Sequence, residues 1–180
     1  MSIWFTADHH WSHSNIIKYD NRPFDDIHEH NKAMTENWNS VVKKDDTVYH
    51  LGDLAFCGPK TIHQILDNLN GKICLIRGNH DKAIRGDLIE RFVWVKDYYV
   101  LKVHEKETNK HQGIVLFHYP IESWDKKHHN YWHCHGHSHS KIMSPGIARL
   151  DVGVTGNNYI PISYDQVKSR IQENLNVQNI

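Results

Sequence analysis

The order of its segments constrains this chain more than any single motif does. Short apolar runs each end in a group of polar residues, and helix-like stretches separate the early ones. IWFTA (3–7) ends at Asp8-His9-His10, TVYHL (47–51) runs into Gly52-Asp53, and KICLIR (72–77) delivers Gly78-Asn79-His80-Asp81. Residues 27–42 carry a ragged helical stripe of Ile27, Met34, Trp38, Val41 and Val42. Pro59 suits the first turn of a helix over 60–69, with Ile62, Ile65, Leu66 and Leu69 on one face and Gly71 as its C-terminal cap. Such a chain is α/β, and in open α/β folds ligands bind beyond the carboxyl ends of the strands. The polar strand ends are therefore expected to converge on one site.

From Val93 onward the pattern becomes β-rich. YYVLKVHEK (98–106) and GIVLFH (113–118) flank ETNKHQ and predict a hairpin, with His118 ending its second strand. YWHCHG (131–136) and ARLDVGV (148–154) are further strands, and 164–175 is an amphipathic helix with Val167, Ile171 and Leu175. The stretch YWHCHGHSHS places histidine at 133, 135, 137 and 139, which on a continuous strand would share one face. Gly136 can break the strand before His137. His137 and His139 then leave the sheet, while His133 and His135 stay on it, partly exposed or hydrogen-bonded.

Composition narrows the function classes. At 180 residues the chain fits a single domain, 1–180, with no linker-like tract. Lys and Arg (21) balance Asp and Glu (21), so no global positive field exists to hold a long nucleic acid. The apolar runs are too short to span a bilayer, and MSIWFTADHH lacks a basic region followed by a long apolar one; the expectation is a cytoplasmic protein without a membrane partner. Cys57, Cys74 and Cys134 form no C-x-x-C pair and suit reduced thiols. The 17 histidines are spread from His9 to His139, unlike an expression tag.

The polar strand ends share one chemistry. Carboxylate, imidazole and amide oxygen suit divalent manganese, iron or zinc, and no cysteine stands among them, which argues for a catalytic site over a closed thiolate one. The ordered set D-x-H at Asp8-His9-His10, G-D at Gly52-Asp53, G-N-H-D at 78–81, isolated His118, and G-H-x-H at Gly136-His137-Ser138-His139 resembles the signature of the calcineurin-like metallophosphoesterases. The opening WFTADHHWSHSNIIKYDNRPF is also similar to a small bacterial and phage branch of that superfamily.

This resemblance implies a two-sheet α/β/β/α sandwich holding two divalent ions: manganese, with iron, zinc or nickel as alternatives. Asp8, His10 and His139 would bind one, Asn79, His118 and His137 the other, and Asp53 would bridge them. It further implies hydrolysis of a phosphate ester, a phosphodiester before a phosphomonoester, by a hydroxide shared between the ions, with His80 as proton donor to the leaving group. A phosphate-ester small molecule, nucleotide, cyclic nucleotide or nucleic-acid end is the expected substrate; the oligomeric state is left open. In the protein phosphatase members an aspartate three residues after the bridging one orients the equivalent histidine. Here that position is Phe56, leaving Asp81 as the candidate partner of His80.

His13, Asn15 and Arg22, close in sequence to Asp8 and His10, could contact substrate phosphate, Arg22 through a bidentate fork, or equally form a surface or a loop salt bridge. Trp11, Trp124 and Trp132 are expected in the core, with base stacking as the alternative. Lys126-Lys127-His128-His129 reads as a solvated loop. Two readings from other classes stay open: an inactive phosphoesterase-like scaffold and a divalent-metal sensor.

Overall fold

The computed structural model describes residues 1–105 and 108–177. Strands β1 (Ile3–Thr6), β2 (Thr47–His50), β3 (Lys72–Ile76) and β4 (Trp94–Lys96) lie parallel in the order β4-β3-β2-β1, and β9 (Ile162–Ser163) closes that five-stranded sheet antiparallel to β1. A second sheet runs β5 (Tyr98–Glu105), β6 (Lys110–Phe117), β7 (Trp132–His135), β8 (Arg149–Asp151), antiparallel between β5 and β6 and parallel thereafter. Among the described residues the fold is a mixed α/β single domain with two sheets and four α-helices.

Strand alternation divides the core in two. Trp4 and Val48 point to one face of the first sheet, where they meet Met34 and Trp38 of α2 (Ile27–Val41) and Ile62 and Leu66 of α3 (Pro59–Asp67). Phe5 and Tyr49, one residue on, point to the opposite face and join Ile114, Leu116 and Trp132 of the second sheet. Val167 and Ile171 of α4 (Tyr164–Asn176) complete that cluster. Asp26 caps α2 by accepting from the N–H groups of His28 and Glu29, and Ser163 and Gln166 form a capping box on α4.

Several expectations need correction. α3 stops at Asp67 with Asn68 as its cap, and Gly71 instead takes φ +93° at the entry to β3. Leu175 faces solvent, being one turn beyond the buried stripe of α4. The short helix α1 (Ser14–Tyr19), β4 and β9 carried too few residues to show a period. Lys106 and Glu107 of the expected hairpin lie outside the described residues. Trp11, Trp124 and Trp132 are buried, Cys74 and Cys134 are buried thiols, and the 127–129 turn is exposed. Among the described residues no helix is long and apolar enough to cross a membrane.

His133 and His135 stay on β7 as hydrogen-bonded imidazoles, and both are fully buried. Nδ1 of His133 faces the Val115 carbonyl (3.1 Å), and Nε2 lies between the Tyr119 carbonyl (3.2 Å) and the Ile121 N–H (3.4 Å). Burial lowers its pKa to about 3. Because this base is held neutral when folded but titrates normally when unfolded, it contributes stability above pH 6.5 that is lost as pH falls towards 3. The loss is at most about 1.4 kcal/mol per pH unit for one such group. In urea titrations at pH 6.5, 5.5 and 4.5, His133→Gln should flatten the fall in stability relative to wild type; parallel profiles would contradict this.

Candidate metal centre

The parallel β1, β2 and β3 bring Asp8, Asp53 and Asn79 to one end of the first sheet, and the parallel β6 and β7 bring His118 and His137 to the matching end of the second. Hydrogen bonds knit these loops: Asp8 N–H to Gly52 O (3.0 Å), His10 N–H to Asp53 O (3.1 Å), Gly136 N–H to His118 O (3.0 Å). β7 ends at His135, and His137 turns away with φ +66°. Asp8, His10, Asp53 and His139 also sit in the left-handed region. Non-glycine residues rarely adopt it, at a cost on the order of 1–3 kcal/mol each, and aspartate and histidine are among those that tolerate it best.

Two ligand groups result. Atoms of Asp8, His10 and His139 lie within 4.8 Å of one another, as do those of Asp53, His118 and His137. Asp53 spans the groups: its Oδ1 accepts from His80 N–H (2.9 Å), while Oδ2 lies 3.7 Å from His10 Nε2 and 3.5 Å from His118 Nε2. Asn79 Oδ1 is 3.1 Å from His118 Nε2. The structure thus brings together all seven expected ligands, with Asp53 between the halves.

Several imidazoles are pre-aimed. His118 donates Nδ1–H to the Leu51 carbonyl (2.7 Å), and His139 donates Nδ1–H to Asp20 Oδ2 (2.8 Å), so Nε2 of each points into the site. His10 is 2 % exposed, and neither of its ring nitrogens has a hydrogen-bond partner. A buried imidazole without a partner costs about 1–3 kcal/mol. A cation at Nε2 is the occupant that removes this penalty, so the residues fit a metal.

The two buried carboxyl groups are pushed in opposite directions. Burial raises Asp8 to about 7, against the opposing pull of His139 and His118. Burial alone would raise Asp53 as well, but His118, the His80 N–H and His10 outweigh it and hold the carboxyl below its usual range. Burial lowers His10 to about 2, which keeps the ring neutral with one nitrogen as a lone-pair donor.

Two carboxylates that sequence reasoning missed support this centre. Asp20 accepts from His139, from Thr155 Oγ1–H (2.5 Å) and from Arg22. Asp151 accepts from Ser138 Oγ–H (2.5 Å) and Ser140 N–H (2.9 Å), shaping the loop that carries His137 and His139. Replacing Asp20 with asparagine should weaken manganese binding about 10–100-fold, the usual effect of losing a group behind a ligand. Unchanged affinity by calorimetry would contradict that role.

The substrate contacts expected near Asp8 need correction. Arg22 is 3 % exposed and donates to the carbonyls of Asp8 (2.8 Å) and His9 (3.0 Å), so it braces the ligand loop from behind and offers no fork to a substrate. Asn15 lies exposed on α1, outside the cavity lining, whereas His13 does line it. His9 points into the fold, stacked on Trp11 at 4.2 Å and bonded to His50 Nε2 (2.9 Å). Asp81 accepts the backbone N–H groups of Asp53, Leu54 and Gly78 and therefore does not orient His80. The His80 ring instead meets Phe56 edge-on at 5.5 Å and lines the cavity.

The chain is 36% identical to the uncharacterized protein MJ1445 of Methanocaldococcus jannaschii, an alignment covering 99% of this chain and 96% of that one. It is 30% identical to the gene 66 protein of Mycobacterium phage L5 over 85% of each. The crystal structure of AQ665 from Aquifex aeolicus, a protein of unknown function, superposes with a TM-score of 0.73 at 26% identity, covering 94% of this chain and 98% of that chain. No family model matches. The chain belongs to the family that includes MJ1445 and the phage L5 gene 66 protein.

Proposed function

We propose that this protein is a phosphoesterase of the calcineurin-like metallophosphoesterase kind, with the sandwich architecture of that superfamily, hydrolysing phosphate esters with the help of two divalent cations. The observation that carries the reading is the buried, unpartnered His10 facing Asp53, a carboxylate that also faces His118. Asp8, His10 and His139 would hold one cation, Asn79, His118 and His137 the other, and Asp53 both; manganese fits this oxygen and nitrogen set, as do iron, zinc and nickel. When bound, such a pair supplies water acidified towards neutral pH and positive charge for the phosphoryl oxygens.

The chain's own residues supply the rest. Asp20 and the Leu51 carbonyl keep the Nε2 lone pairs of His139 and His118 aimed at the centre. His80 stands on the cavity wall with no hydrogen bond to its ring among the described residues, so a ring nitrogen is available to hand a proton to the leaving oxygen. Lys141 at the rim offers a positive charge to the substrate anion. The test is hydrolysis of bis(p-nitrophenyl) phosphate and p-nitrophenyl phosphate by protein stripped of metal and given manganese, iron, zinc or nickel. Metal-dependent cleavage of either probe is expected; none with any of these ions would overturn the reading.

A further inference from the structure

Phe56 stands as a ridge between two cavities. The first, about 410 Å³, holds the candidate metal ligands and extends to Tyr19 and Lys141. The second, about 360 Å³, is floored by Ala55, Cys57 and Ala83 and bears Lys82. The cavities share Phe56, Asn79 and His80. Phe56 is 51% exposed, although a phenyl ring gains from burial, and its ring lies against two imidazoles, His13 at 4.6 Å and 30° and His80 at 72°. Tyr19, on the far rim of the first cavity, is 67% exposed. Each cavity thus offers apolar or aromatic surface together with one exposed lysine.

We propose that the site takes phosphodiesters of nucleosides, one substituent in each cavity, and that Phe56 is the residue that selects them by presenting its ring to a nucleobase. The hydrolytic part rests on the phosphoesterase reading; the binding part does not. A monoester would fill one cavity and leave the other to water. A diester whose phosphorus sits at the ligand cluster turns its leaving oxygen towards His80, at the junction, and its leaving substituent into the second cavity. A substituent that presents a flat face to an aromatic ring and carbonyl acceptors to a lysine is a planar base, as in a nucleoside. In the reaction, water oxygen bonds to phosphorus and the bond from phosphorus to the leaving oxygen breaks. That oxygen takes a proton by way of His80, and the remaining water proton stays with the phosphomonoester or is released.

The test is equilibrium binding of thymidylyl-(3′→5′)-thymidine and of dimethyl phosphate, by calorimetry, to metal-free and manganese-loaded protein. Wild type should bind the dinucleotide at least about tenfold more tightly than dimethyl phosphate, as expected for one stacked base. Phe56→Ala should lose that preference and Phe56→Trp should retain it, while the affinity for dimethyl phosphate stays the same in all three. Equal affinities in wild type, or a preference surviving in Phe56→Ala, overturns the proposal. Hydrolysis of bis(p-nitrophenyl) phosphate by wild type reports on the other reading separately. A chain that prefers the dinucleotide but cleaves nothing keeps the groove and sinks the phosphoesterase; a cleaving chain without the preference does the reverse.

Discussion

In the Asp53→Asn variant, hydrolysis of bis(p-nitrophenyl) phosphate is expected to fall by about 10³-fold, the upper end of what loss of one charge-stabilising group costs. Asparagine keeps the shape of the side chain, an acceptor for the His80 N–H and a tolerance for φ +56°, so the loop survives while the negative charge does not. What disappears is an anion lying within reach of both His10 (3.7 Å) and His118 (3.5 Å). Two cations about 3.5–4 Å apart repel strongly without a carboxylate between them, so one equivalent of metal should be lost as well. Near wild-type turnover in a folded Asp53→Asn protein would remove Asp53 from the centre of the account.

His80→Ala gives the second large effect, and a selective one. Both metals should stay, because His80 belongs to neither candidate ligand group, but turnover of a diester with a poor leaving group should fall about 10²–10⁴-fold, the usual worth of a positioned acid. Esters of p-nitrophenol, whose anion departs unaided, lose far less. The two substrate classes measured side by side give a ratio that a general disturbance of the site would leave unchanged. Equal losses for both, or none for the poor leaving group, would end the assignment of His80 as the acid.

Much of this arrangement was legible in the sequence because strand-end placement is a local property. An apolar run followed by Gly-Asp or Gly-Asn-His states both the strand and the loop that leaves it, and the three early strands do lie parallel with their polar ends together. The tight approach of these loops was legible only as glycine. A Cβ on Gly52 would stand 2.5 Å from His118 Nδ1, and one on Gly78 would reach into the Asp53 carboxylate. The supporting residues were not legible, since Asp20 meets His139 and Thr155 across 119 and 135 residues of chain. Arg22 misled for the same reason: a guanidinium beside two ligands in sequence is equally able to face the substrate or brace the loop, and only tertiary packing decides. The left-handed backbone at Asp8, His10 and His139 is likewise imposed by the fold, for neither aspartate nor histidine announces it.

The most direct test of the central claim is a manganese titration of metal-stripped protein, with bound metal counted by electron paramagnetic resonance and bis(p-nitrophenyl) phosphate hydrolysis followed in the same samples. The account predicts two equivalents per chain, a spin-coupled signal as the second binds, and hydrolysis rising with that second equivalent. A single uncoupled ion at saturation, or two that bind without coupling and without hydrolysis, would contradict it.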